Sequence, residues 1–127
     1  MKRDMDLIRD LLLAIEDKEE TDGNHLFQFD EKDDLGIADH SKEQVNYHLV
    51  MLIESGLLKG EESYDRPIIS KLTWQGHDFL DYVRDPEIWQ KTKDGAKKAG
   101  GFSIELLGDL AKGFIKKKIE DHTGIKI

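Results

Sequence analysis

Two sets of side chains have types and spacings that could do chemistry. His77 and Asp81 stand four residues apart with Asp78 between them, which is the spacing of a metal-ligand pair or a general acid–base pair on one helix face. That spacing arises readily by chance, and neither a third ligand nor a nucleophile accompanies it. The sequence has no phosphate-binding glycine loop, no nucleophile elbow and no cysteine. The expectation is therefore a non-enzymatic protein with no catalytic residues, no metal ligands and no cofactor. The second set belongs to nucleic-acid recognition. In SKEQVNYHLVMLIESGLL, Lys42 suits a phosphate or a guanine and Asn46 an adenine, with Tyr47 beside them. Arg66 is the basic residue of a nearby turn, so the candidate nucleic-acid-binding residues are Lys42, Asn46, Tyr47 and Arg66. Glu43, Glu54, Glu61, Glu62 and Asp65 oppose that use, because each would lie near phosphate.

The elements that must position these residues follow from periodicity. Met5, Ile8, Leu12 and Ile15 form a helical stripe that Leu7 and Leu11 widen, with Asp4 as N-cap. The alternation His25–Phe29 predicts a brief strand, and DEKDDLGIAD after it a loop or one helical turn. Ser41 with Gln44 makes a capping-box pattern, Val45, Leu49, Leu52 and Ile53 an apolar stripe, and Gly56 a C-terminal stop. These predict a helix over 42–55. Leu57–Lys59 and Ile68–Leu72 predict a hairpin around EESYDRP, and Thr73 caps a helix in which Trp74, Phe79 and Tyr82 read as packing residues together with the later Trp89. His48 reads as a half-buried structural histidine. Asp85-Pro86-Glu87 starts another helix, and DGAKKAGG, 94–101, reads as a linker. The last amphipathic helix carries Ile104, Leu107, Leu110 and Phe114, the candidate oligomerisation face, beside Lys112 and Lys116 to Lys118. Docking on the same chain and an anionic membrane surface are the other uses open to it.

Charge narrows the partners. The formal net charge is −8 over 127 residues, and it is uneven. Residues 1–40 hold 5 basic and 13 acidic side chains, 41–85 hold 5 and 8, and 86–127 hold 9 and 6. Most of the chain would repel phosphate, and Asp30, Glu31, Asp33 and Asp34 form an acidic patch suited to a basic partner. The charged first ten residues do not resemble a signal peptide, and no apolar run approaches the roughly 18 residues of a membrane span. A cytoplasmic protein is expected.

Helix, strand, helix, hairpin and helix is the order of a winged helix-turn-helix domain. HLVMLIESGLL is similar to the end of the recognition helix in winged bacterial regulators, and Leu72-Thr73-x-x-Gly76-His77 resembles their exit from the wing. The opening MKRDMDLIRDLLL, the central VNYHLVMLIESGLL and LTWQGHDFLDYVRDPEIW together resemble a family of small bacterial and prophage proteins known only as a domain of unknown function. The resemblance implies phage association and no established activity. The fold class expected is mainly α with a small β-hairpin (α+β), divided into a winged-helix-like domain over 1–95 and a linker with C-terminal amphipathic helix over 96–127. The function expected is DNA binding of the transcription-regulator kind, with an acidic protein–protein interaction module that has lost DNA binding as the alternative. Self-association through the last helix accompanies either.

Overall fold

In the computed structural model, which describes residues 1–29, 37 and 39–127, the chain is mainly α with one small antiparallel sheet. The elements are α1 (Met5–Glu16), β1 (Asp22–Phe27), α2 (Lys42–Glu54), β2 (Leu58–Glu61), β3 (Ile68–Leu72), α3 (Trp74–Val83), α4 (Pro86–Ala99) and α5 (Ile104–Thr123). They fall into two compact units, Met1–Asp78 and Phe79–Ile127. The boundary between these units falls inside α3. The acidic patch at Asp30, Glu31, Asp33 and Asp34, with most of DEKDDLGIAD, lies outside the described residues.

In the first unit the sheet order is β1-β3-β2, both pairings antiparallel, with β3 in the middle. β3 is central because its sequence can bury one face and still solvate the other. Ile69 and Leu72 are buried, while Lys71 is exposed and stands opposite Lys59 of β2 and Asp22 of β1. The strand β1 begins earlier than the alternation His25–Phe29 suggests. It includes Gly23, whose φ of 89° suits a residue without a side chain. The core of the unit is the stripe of α1, with Leu7, Ile8, Leu11, Leu12 and Ile15 buried, together with Leu49 and Leu52 of α2 and Leu58 and Ile69 of the sheet. At roughly 1.5–3 kcal/mol for each large apolar side chain, these residues dominate the stability of the unit.

Close backbone approaches hold the hairpin strands together and lock the hairpin's start to the first turn of α3. A Cβ at Gly60 would meet the carbonyl of Ile68, and one at Gly76 the carbonyl of Leu57. Thr73 joins the same corner. Its hydroxyl donates to the Gly56 carbonyl and accepts the Gly76 N–H at 3.0 Å, capping the start of α3. Trp74 departs from the packing role expected of it, being 79% exposed. The buried positions of α3 are Gly76, Phe79, Leu80 and Val83, and Trp74 is off that stripe at the first helical position.

In the second unit, Asp85 caps α4 by accepting the N–H groups of Glu87 and Ile88, with Pro86 following. These bonds, led by the one from Ile88 and aided by Lys118, hold the Asp85 carboxyl below the usual aspartate range. The expected linker at 94–101 is mostly helix. α4 runs through Ala99 and stops at Gly100, where φ is 83°. The physical reason is that its small residues serve helix packing: Trp89, Thr92 and Ala96 form the buried stripe, and Leu110 of α5 lies 3.5 Å from where a Cβ of Gly95 would stand. With Lys118 of α5 3.2 Å from Asp85 at the other end, α4 and α5 form an antiparallel pair.

Candidate functional site

The residues suited to recognition lie on α2 and on the β2–β3 loop, and both are held by specific bonds. α2 starts at a complete capping box. Ser41 Oγ accepts the Gln44 N–H at 3.1 Å, and Gln44 Oε1 accepts the Ser41 N–H at 3.0 Å. Its first turn is then fixed to α1 by His48, which is 1% exposed. His48 Nε2 accepts the Asp4 N–H at 2.8 Å, so the proton sits on Nδ1, which donates to the Gln44 carbonyl at 2.7 Å. The Asp4 carboxylate in turn accepts the Leu7 N–H at 3.1 Å and lies 3.2 Å from His40 Nε2. One buried imidazole therefore ties the N-cap of α1 to the first turn of α2. The sequence signalled a structural histidine here, but not its partner 44 residues away.

This anchoring leaves Lys42 and Tyr47 exposed and Asn46 half-buried. Lys42 and Asn46 lie one turn apart on the same side, as expected of α2 positions i and i+4. Tyr47 stacks edge-on to His48, their ring centroids 5.8 Å apart. Glu43 and Glu54 are exposed on the same helix.

Arg66 is differently placed. Its Nη1 donates to the Phe29 carbonyl at 3.1 Å and its Nε to Asp65 at 3.0 Å, while Gln28 Nε2 donates to the Arg66 carbonyl. The guanidinium is thus spent on bracing the loop against the end of β1. What the loop offers to solvent is Glu61, Glu62 and Tyr64, whose ring is fully exposed. No local signal in the sequence marks this exposure of Tyr64, since an aromatic in a hairpin ordinarily covers its own strands.

The remaining chemical candidates separate. His77 Nδ1 lies 3.7 Å from Glu16 Oε2, and Asp81 accepts from Arg84 at 3.0 Å. Among the described residues, no group of three or more His, Cys, Asp or Glu side chains could hold a metal ion. On α5, Leu107 has no exposed surface, whereas Ile104, Leu110 and Phe114 are half-buried. Among the described residues, no helix is long and apolar enough to cross a membrane.

Comparison with known proteins gives a family without an assigned activity. Residues 2–103 match the family model described as Hypothetical protein (DUF2513), a span that ends just before α5. A protein of Haemophilus influenzae described as uncharacterized is 31% identical over 124 residues, covering 94% of this chain and 99% of the relative. No solved structure matches.

Proposed function

We propose that this chain, which belongs to the DUF2513 family, is a non-enzymatic winged-helix module that binds a basic protein partner through α2 and the β2–β3 loop. The element order and the sheet order β1-β3-β2 support the winged-helix reading, in which α2 takes the place of the recognition helix and the β2–β3 loop that of the wing. The observation that carries the choice of partner is the commitment of Arg66 to Phe29 and Asp65. It leaves a wing whose free charges are acidic and whose apex is an exposed tyrosine, a residue type that anchors protein interfaces. Charge agrees, since residues 1–78 contain 9 basic and 19 acidic side chains, a net −10. The same reading takes the cytoplasm as the setting and carries a prophage-linked role from the sequence resemblance. It also includes self-association through the half-buried α5 residues Ile104, Leu110 and Phe114 together with the exposed Ile119.

A second reading, DNA binding through Lys42, Asn46 and Tyr47, is favoured by one observation: Lys42 and Asn46 share a side of α2. Titration into labelled mixed-sequence duplex DNA at low salt separates the two, because non-specific phosphate binding is strongest there. The expected result is no salt-sensitive binding by the native protein, gain of such binding in the Glu61→Lys/Glu62→Lys variant, and binding of a lysine-rich peptide that this variant loses. Salt-sensitive DNA binding by the native protein would overturn the protein-partner reading in favour of the second.

A further inference from the structure

In the second unit, α5 is longer than the helix beside it. It has 20 residues against the 14 of α4, and the two run antiparallel. Lys118 Nζ stands 3.2 Å from the carboxylate of Asp85, the cap of α4, so residues 119–123 continue past the start of α4 by about 7.5 Å. Every residue over 116–127 is exposed, including Ile119 at 39%. The overhang is nevertheless a finished helix end. Gly124, with φ of 70°, donates its N–H to the Glu120 carbonyl at 2.8 Å, and the Thr123 hydroxyl donates to the Ile119 carbonyl at 2.7 Å. A turn of helix with no packed neighbour gains little stability from its own backbone bonds.

The overhang shares a strip with the turn before it. At about 100° a residue, Leu107 and Ala111, both buried, share one side with Lys118, and Ile115, Lys116, Ile119, Glu120 and Thr123 lie about a third of a turn round the helix. Lys112, at the head of this strip, stands 4.9 Å over the Tyr82 ring of α3. Beyond it Ile115 is half-buried, and the other four are exposed. Lys116 and Glu120 are one turn apart, in the poorer order for a pair along one helix, and neither has an ion-pair partner among the described residues. Such a strip is its own complement once reversed. A two-fold axis crossing the helices near residue 118 sets each Lys116 against the partner's Glu120, with Ile115 and Ile119 of both copies between them. Parallel packing would instead set Lys116 against Lys116. An anionic lipid surface fits the strip less well, because Glu120 and Asp121 follow Ile119 directly.

We propose that the C-terminal half of α5 docks on the same strip of a second copy of this chain, antiparallel, with Ile115 and Ile119 as the apolar contact and the Lys116–Glu120 pairs setting the direction. This rests on the self-association included in the proposed function, and adds which half of α5 makes the contact and how the copies are oriented.

The test measures the mass of the full-length protein by light scattering and sedimentation over a concentration series at low salt. The expected result is a dimer that Ile119→Asp converts to monomer with an unchanged circular dichroism spectrum. Lys116→Glu and Glu120→Lys should each weaken the dimer about tenfold, because the two-fold axis makes every substitution act twice, and high salt should narrow the difference. The double variant Lys116→Glu/Glu120→Lys restores both pairs and should return to near the native affinity. A monomer at every concentration would overturn this inference and the self-association reading together. A dimer that survives Ile119→Asp, or single charge reversals without effect, would overturn this inference alone. Monomeric protein that sediments with phosphatidylserine vesicles, and ceases to do so in Lys116→Glu, would overturn it in favour of a lipid surface.

Discussion

Replacing His48 by leucine tests whether one buried imidazole fixes α2 to α1. Leucine fills a similar apolar volume, so the main loss is polar. The Gln44 carbonyl keeps its role as a helical acceptor, but the Asp4 N–H loses the acceptor it reaches at 2.8 Å. A stranded backbone donor costs about 1–3 kcal/mol. Because Asp4 is half exposed and water reaches part of it, the lower part of that range applies, about 1–2 kcal/mol. Urea denaturation should show the midpoint falling at unchanged slope. Asp4→Ala removes a different bond, the N-cap to Leu7, at about 1 kcal/mol. Both substitutions loosen the same turn of α1, so the double variant should lose less than the sum of the two by at least about 0.5 kcal/mol. A His48→Leu cost under about 0.5 kcal/mol, or strict additivity, would refute the idea that His48 and Asp4 act as one unit.

Other substitutions probe the packing around the candidate surfaces. Gly76→Ala should destabilise by about 1–3 kcal/mol, because its methyl group meets the Leu57 carbonyl. Gly113→Ala, on an open helical face, should stabilise by about 0.5–1 kcal/mol, so thermal melts should move in opposite directions. Leu107→Ala should cost about 2–5 kcal/mol by urea titration, since that side chain is buried within the chain. A cost below about 1 kcal/mol would mean it is not part of the internal core. Asp85 has a folded-state carboxyl held below its ordinary value of 3.8. Its contribution is therefore complete above that value and lost as pH falls through the lower folded one. Acid titrations of Asp85→Ala should accordingly show a smaller loss of stability over that window than the native protein, and an identical acid limb would refute the assignment.

The sequence was most informative where one residue type answers one local need. Asp4, Ser41 with Gln44, and Asp85 with Pro86 each mark a helix start, because the cap bond spans only two or three residues. It was least informative where a residue's partner is distant. The small side chains of 94–101 read as a linker because nothing local shows that Leu110 will lie against Gly95, and absence of bulk serves a flexible segment and a close helix contact equally well. Trp74 read as core for the complementary reason. Helical spacing to Phe79 and Tyr82 suggests a stripe, yet the buried side of α3 is set by Gly76 passing the Leu57 carbonyl, which turns the first helical position outward. The same limit governs the candidate surface. Arg66 is the type of residue that reads phosphate, and only its reach to Phe29, 37 residues earlier, shows that the charge is already used. An unpaired cation and a committed one look identical in sequence, so the balance between a DNA-reading and a protein-binding wing turns on that tertiary bond together with the acidic side chains around it.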